Sequence, residues 1–302
     1  MAKYATDTIL AFEAKKAKRK KEPKYSFWAD AWRRLRRNRT AVLGMVIIIL
    51  LLLVAIAAPA IMPYSYTSTD VMAMNQTPSA KHWFGTDNLG RDIFSRCIYA
   101  TRVSIPIGII SAVVSVFVGG VFGLIAAYFA GAVDLLLMRV MDVLQAIPSM
   151  MMAIIVIAAL GTGTAPLLIA VGMSCVPQFA KTVRSAVLTV RSNEYIDASR
   201  SLGASNLRLM FRHIIPNCVG FVLIVCVQII SGNIMFISSL SYIGLGITPP
   251  TPEWGAMLSA GKTFLQTYPH MVVFPGLMIM ITVFAFNLFA DGVRDALDPR
   301  LK

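Results

Sequence analysis

Long apolar runs alternate with short polar ones along this 302-residue chain. Five windows hold no Asp, Glu, Lys or Arg: residues 40–62 (continuing to 69), 103–133, 143–180, 213–252 and 263–290. A helix that crosses a membrane needs about 20 mostly apolar residues. The third window is too long for one such helix, and Gly161-Thr162-Gly163-Thr164 breaks it. The pattern therefore predicts six spans, at roughly 40–62, 103–130, 144–160, 165–183, 217–238 and 272–291. The fold class it implies is an all-α integral membrane protein. Composition agrees, with 57% hydrophobic and 14% charged residues, where soluble domains carry about 25% charged.

Charge sharpens the picture. The net charge is +13, and 13 of the 28 Lys and Arg residues precede the first span. With six spans and a cytosolic N-terminus, inside segments hold 23 of them, and outside loops hold the other 5: Lys81, Arg91, Arg96, Arg102 and Lys262. This asymmetry follows the positive-inside rule and puts both termini in the cytosol. Nucleic-acid binding is not expected, because no basic face interleaves with stacking aromatics. A signal peptide cleaved after Ala55-Ile56-Ala57 is also disfavoured, since the tail before it and the apolar run are both too long. The four cysteines (Cys97, Cys175, Cys218, Cys226) form no CxxC pair and indicate neither disulfides nor a metal site.

Residues 1–39 form a basic cytosolic tail with the lysine-rich run KKAKRKK at 15–21. Within 26–39, Trp28, Trp32 and Leu35 follow i, i+4, i+7, with Arg33, Arg36 and Arg37 off that stripe. An interfacial amphipathic helix fits this spacing. After the first span comes an external loop, 63–101, with HWFGTDNLGRDIFSR at 82–96. Gly85, Asn88 and Gly90 are turn formers there, and Asp92 is placed to cap the helix that follows. Residues 241–270 carry too many prolines and glycines for a span and read as an irregular or re-entrant hairpin at the outer face.

No catalytic chemistry stands out. Gly261-Lys262-Thr263 resembles the end of a phosphate-binding loop, but Gly255 lies one residue too far upstream for G-x-x-x-x-G-K-[ST]. His82, His213 and His270 sit in separate segments without a second ligand at metal spacing. No G-x-S-x-G elbow occurs. Asp134, Arg139 and Asp142 read as charges of one cytosolic turn rather than a proton relay. The expectation is a transport architecture with no catalytic residue, metal or cofactor of its own.

One polar interruption remains, residues 194–217, EYIDASRSLGASNLRLMFRHIIPN. Asn193 is a candidate N-cap, with Glu194 and Asp197 in the first turn. Tyr195, Ala198, Ser199 and Leu202 share a helical face, and Gly203 suits the stop. Ser205 can cap a second helix on which Leu207, Met210, Phe211 and Ile214 form a stripe, before Pro216 re-enters the membrane. Two readings fit this pair. It is a surface element resting on headgroups, or a docking element that presents the small residues Ala198, Ser199, Gly203 and Ala204 to a soluble partner.

The segment resembles the EAA loop of ABC importer permeases, E-A-A-x3-G-x9-I-x-L-P. Here it reads Asp197-Ala198-Ser199, then Gly203, then His213-Ile214-Ile215-Pro216, with Asp for Glu, Ser for Ala and His for the first Ile. The runs at 82–96, PPTPEWGAML at 249–258 and FNLFADGVRDALDPR at 286–300 are similar to the dipeptide/oligopeptide/nickel branch, in particular its second permease subunit. The resemblance implies a type I ABC importer permease fold in a bacterial cytoplasmic membrane. It implies a homologous second permease, two ATPase subunits carrying ATP and Mg, and an external solute-binding protein as partners. It also implies an ATPase-coupling site at Asp197, Ala198, Ser199, Gly203, Ala204, Leu207, Met210, Phe211 and Pro216. On the outer side it implies binding-protein docking around Gly85, Asp87, Gly90, Arg91, Asp92 and Trp254.

The domain organisation expected is therefore a tail at 1–39, a first span at 40–62, the external loop at 63–101, and an ABC transmembrane domain at 102–292. That domain contains the coupling loop at 193–216, and a cytosolic tail follows at 293–302. The expected cargo is a di- or oligopeptide. Nickel or a metal chelate, glutathione and opines are alternatives within the branch, and an ion-coupled secondary carrier is the alternative outside it.

Overall fold

The computed structural model describes residues 27–297. The tail before residue 27 and the DPR end of the last motif lie outside the described residues. Among the described residues all regular structure is helical, apart from one isolated bridge between Thr86 and Asp92.

Helix α1 (Phe27–Arg37) gives way at Asn38 to α2 (Arg39–Ile61). The break is local chemistry: Asn38 Oδ1 accepts from the backbone N–H groups of Thr40 and Ala41 and so starts a new helix. Leu35 and Ala31 are buried while Trp28 and Trp32 stay half exposed, the pattern of a helix lying flat on the body of the protein.

A compact cap covers residues 62–92, with one 3-10 turn at Val71–Ala73. Then α3 (Ile93–Phe129) runs for 37 residues, about 55 Å at 1.5 Å per residue. It begins ten residues before the expected span, because the Asp92 cap lies at residue 92 and the polar residues after it are compatible with helix. The last nine residues of the expected loop at 63–101 are thus helical.

The expected span at 144–160 is not a straight helix. Helix α4 (Gly131–Ala146) and α5 (Ser149–Leu160) meet at an 89° bend around Ile147 and Pro148. Proline offers no N–H and disfavours helical backbone in the residue before it, so the run breaks there. Asp134, Arg139 and Asp142 consequently lie along α4 and not in a turn.

The break at residues 161–163 is as the sequence predicts, with Gly161 and Gly163 both at positive φ. Helix α6 (Thr164–Arg191) follows. It packs along α3 through small residues: a Cβ on Gly119 or Gly123 would meet the backbone of α6 at 2.8 and 2.3 Å. Ser115 Oγ closes the seam by donating to the Gly172 carbonyl at 2.8 Å.

After the short α7 (Glu194–Ser201), α8 (Asn206–Arg208) passes through a π-helical turn at Leu209–Ile214 into α9 (Ile215–Tyr242). The expected separate second helix and span are one helical run, Asn206–Tyr242. The hairpin at 243–269 contains α10 (Trp254–Gly261) and a 3-10 turn, Lys262–Phe264. Helix α11 (His270–Leu297) completes the described chain and packs against α2, where Gly44 faces Ala285 and Phe289, and Gly292 faces Ala41.

Among the described residues, five helices are long and apolar enough to cross a membrane, or six if the bent α4–α5 pair counts as one span. Between them lie small cores, one centred on Trp254, Ile93, Cys97 and Met271, another on Phe179, Val183, Ile196, Leu209 and Ile214.

Candidate coupling loop

The polar interruption at 193–216 is a built element, fixed on one side and open on the other. Ile196 is fully buried and joins Leu209 and Ile214 in the core formed by Tyr128, Phe179, Val183 and Val187. Arg191 donates to the Ala127 carbonyl at 2.8 Å and Tyr128 Oη donates to Asn206 Oδ1 at 2.7 Å. These contacts seat the loop on the adjacent ends of α3 and α6.

The stop of α7 is a Schellman motif. Ala204 N–H donates to the Ser199 carbonyl and Gly203 N–H to the Arg200 carbonyl, with Gly203 at φ +82°. A Cβ on Gly203 would meet nothing within 4 Å. The glycine thus serves the turn, and the space outside it is open. Ser205 caps the next turn by accepting from Arg208 N–H, as expected.

Asn193 departs from expectation. It occupies the N-cap position, but its side-chain amide turns back to donate to the Thr189 and Val190 carbonyls of α6. Glu194 and Asp197 stand in the first turn without that cap, and Asp197 lies 3.7 Å from Arg200 on the surface.

The expected stripe on the second helix divides. Met210 and Ile214 are buried together with Leu209, while Leu207 and Phe211 are 67% and 65% exposed. The π turn explains the split. Ile215 N–H donates to the Met210 carbonyl, five residues back, and the wider turn shifts the helical phase. Pro216, which lacks an N–H, follows immediately, and Asn217 Nδ2 donates to the His213 carbonyl in its neighbourhood. Leu202, at the apex of the Gly203 turn, is 89% exposed. Sequence reasoning put Leu202 on a face with Tyr195 without giving it a role. Its signal was a leucine beside a helix-stopping glycine in a polar loop.

Tyr195, Leu202, Leu207 and Phe211 thus present apolar surface beside the small residues Ala198, Ser199 and Ala204. Glu194, Asp197, Arg208 and Arg212 are exposed on the same loop, so its outer side carries apolar, small and charged groups together. No group of three or more His, Cys, Asp and Glu residues among the described residues is arranged to hold a metal.

The outer cap residues behave differently. Asp87 Oδ1 accepts from Leu89 N–H and Arg91 N–H, and its Oδ2 meets Arg91 Nε at 2.7 Å. Asp92 caps α3 through Ser95 and pairs with His82 Nδ1 at 2.9 Å, both groups buried. Gly90 allows close approach, since a Cβ there would overlap the Asp70 carbonyl. Trp254 is fully buried and its indole N–H donates to the Cys97 carbonyl at 3.1 Å. Gly85, Asp87, Gly90, Asp92 and Trp254 are all buried and Arg91 is half-buried, and in the structure these residues hold the cap together. The exposed apolar groups of the cap are Val71, Met72, Met74, Trp83 and Leu89.

Residues 119–302 match the family described as binding-protein-dependent transport system inner membrane component. Residues 26–78 match the N-terminal transmembrane domain of oligopeptide transport permease C. The chain is 42% identical over 276 residues to the glutathione transport system permease protein GsiD of Pectobacterium atrosepticum, covering 91% of this chain and 92% of that one. It is 40% identical over 275 residues to the dipeptide transport system permease protein DppC of Alkalihalophilus pseudofirmus, covering 91% and 90%. In fold it is similar to a chain of the inward-facing MetNI methionine ABC transporter, with a TM-score of 0.56 at 13% identity over 67% of this chain and 96% of that one. A chain of an amino acid ABC transporter solved with histidines gives 0.53, again at 13% identity, over 66% and 92%. Helical architecture, buried seat and motif spacing agree with these matches: the chain belongs to the binding-protein-dependent transport system inner membrane components, the multi-pass permeases of ABC importers.

Proposed function

We propose that this chain is the second permease subunit of an ATP-driven importer of di- or oligopeptides, worked by separate ATPases through the loop at 193–216. The observation that carries the reading is the two-sidedness of that loop. Ile196, Leu209 and Ile214 lock it into the core, so a force on it moves α3, α6 and α9 as a body. Tyr195, Leu202, Leu207 and Phe211, around the small residues Ala198, Ser199, Gly203 and Ala204, supply the surface that an ATPase groove would hold. Asp197 and Pro216 complete the site, the one as a charged first-turn group and the other at the return to the span. ATP and Mg sit on the partner subunits, and this chain needs neither a cofactor nor a catalytic residue. Both termini lie in the cytosol, consistent with the concentration of Lys and Arg before the first span. A homologous second permease closes the path, and a solute-binding protein docks on the exposed apolar groups of the cap.

The relatives named for glutathione and for dipeptides point to one cargo chemistry, a short peptide, since glutathione is itself a tripeptide. Among the described residues no group of three or more His, Cys, Asp and Glu favours bare metal as cargo.

The test is Gly203→Trp in the complete importer. The glycine's open surroundings leave the fold intact apart from a left-handed backbone cost of about 1–2 kcal/mol. Uptake of labelled dipeptide and glutathione should vanish while membrane insertion persists and the ATPases no longer co-purify. Normal uptake by this variant would overturn the coupling role.

A further inference from the structure

Two helices carry polar groups where a lipid-facing helix would carry aliphatic ones. On α6, Gln178, Thr182 and Ser185 are exposed or half-buried and recur at i, i+4, i+7. On α9, Gln228, Gly232 and Ser239 are exposed at i, i+4, i+11, with Met235 exposed between them at i+7 and the Ser239 hydroxyl donating to the Met235 carbonyl. Each set lies away from α3. On α6 the groups packed against α3 are Val176, Phe179, Ala180 and Val183, and the polar set is turned from them by roughly 140° at 3.6 residues per turn. On α9 Ile230, Asn233, Ile234 and Ile237 pack toward α3, and the polar set is turned from them by roughly 170°. Helices α6 and α9 also pack on each other: Cys175 Sγ donates to Asn233 Oδ1 at 3.3 Å, and Ile237 and Leu240 share a core with Leu167, Ala170 and Val171. In this mutually packed trio the two faces turned from α3 lie on adjacent helices and open to one side.

Other exposed surface has the opposite character. On α3 the outward residues are Val113, Phe117 and Val121, and on α2 they include Leu50, Leu53 and Ile56. Those faces suit hydrocarbon. An amide placed in hydrocarbon loses its water without replacement, at about 2–7 kcal/mol. Beside the α6 set, Lys181 Nζ pairs with Asp142 Oδ1 at 2.6 Å and also bonds Gln145, and both charged side chains remain more than a third exposed. An ion pair this open within a spanning region requires water or protein next to it. Helix α6 is also the least apolar of the five candidate spans.

We infer that this side of α6 and α9 is the subunit's wall of the translocation path, and that Gln178, Thr182, Ser185, Gln228 and Ser239 are its contacts with a hydrated, zwitterionic short peptide. Amides and hydroxyls match the backbone amides common to all peptides and ask nothing of their side chains. Gly232, beside which a Cβ would meet nothing within 4 Å, leaves room for the passing chain. Lys181 and Asp142, paired with each other, mark the hydrated edge of the wall. The cargo class rests on the proposed function; the wall itself does not.

The test is cysteine accessibility in the assembled importer, reconstituted in vesicles, in a cysteine-free background that still transports. Gln178→Cys, Ser185→Cys and Ser239→Cys are each compared with Phe117→Cys and Ile56→Cys, using a membrane-impermeant methanethiosulfonate reagent applied to either side. The thiolate is the reacting form, and it does not form in hydrocarbon, so the wall positions should react more than about tenfold faster than the two references. Trapping the ATPases with ATP and vanadate should change the rate at Ser185 and Ser239 in opposite senses. Rates equal to the references in every nucleotide state, at all three positions, would overturn the inference and show the face covered by lipid or by a helix of the second permease. Peptide uptake by the unmodified complex is scored separately. A failure there removes the cargo class and leaves the labelling result to decide the wall.

Discussion

The Arg184 guanidinium holds both carboxylate oxygens of Asp134, each at 2.6 Å, and so ties α6 to α4. Lys181 and Asp142 repeat the tie further along the same two helices. Bidentate geometry makes the first pair specific as well as attractive. Both side chains keep partial access to solvent, which limits the pair to about 1 kcal/mol. A double-mutant cycle on Asp134→Asn and Arg184→Gln, read by thermal unfolding in detergent, should give a coupling of that size. A coupling of zero would mean that α4 is held by packing alone, through Met141, Val176 and Ala180.

Neighbouring glycines on α3 make a sharper test of packing. Gly123→Ala would drive a Cβ to 2.3 Å from the Ala180 carbonyl, a backbone atom that cannot step aside. Separation of α3 and α6 should cost about 1–3 kcal/mol. Gly120→Ala, three residues earlier, meets only Phe179 Cε1 at 3.8 Å. There the gain in helix propensity, about 1 kcal/mol at most, should leave the melting temperature unchanged or raised. Equal effects from the two variants would refute the close-packed seam.

The split stripe of the coupling loop separates seat from surface. Leu209→Ala and Ile214→Ala remove fully buried groups and should each destabilise the protein by about 2–5 kcal/mol. Leu207→Ser and Phe211→Ser remove exposed groups and should leave the melting temperature nearly unchanged. In the assembled importer the second pair should instead release the ATPase subunits on purification and lower uptake. Retention of the ATPases by both serine variants would place the contact elsewhere on the loop.

The division between seat and surface shows what the sequence could and could not convey. Gly203, Ser205 and Asp92 act through bonds to residues within five positions, and their roles were legible from local chemistry alone. The 161–163 break was legible for the same reason. Helical spacing failed at Leu207 and Phe211 because the phase was set by a π turn next to Pro216, which periodicity at 3.6 residues cannot anticipate. The straight span at 144–160 failed at Pro148, where hydropathy outweighed a breaker that the chain plainly carried. Trp254 and Asp87 entered as docking residues through the family resemblance, which carries no information on burial. Their burial depends on partners such as Cys97 and Arg96, which only the fold brings within reach. The polar wall of α6 and α9 needed the position of α3, and no window of either helix contains it.

Glu253 supplies the last prediction, a dependence on pH. Its carboxylate caps α10 by accepting from Ala256 N–H at 2.9 Å and accepts from Ser104 Oγ at 3.3 Å. The side chain is fully buried, and burial raises its pKa above the ordinary glutamate value near 4.5 despite those hydrogen bonds. The folded protein therefore holds this proton more tightly than the unfolded chain. Stability from Glu253 is complete below the ordinary value and is lost as pH rises from there through the raised folded value. Glu253→Gln keeps one acceptor for Ala256 and has no proton to lose. Its melting temperature should match the parent near pH 4.5 and exceed it increasingly toward neutral pH. Glu253→Ala removes the cap at every pH and should cost about 1 kcal/mol or more throughout. If the glutamine variant were the less stable at neutral pH, the ionised form would be the favoured one in the folded protein, and the sign assigned to this burial would be reversed.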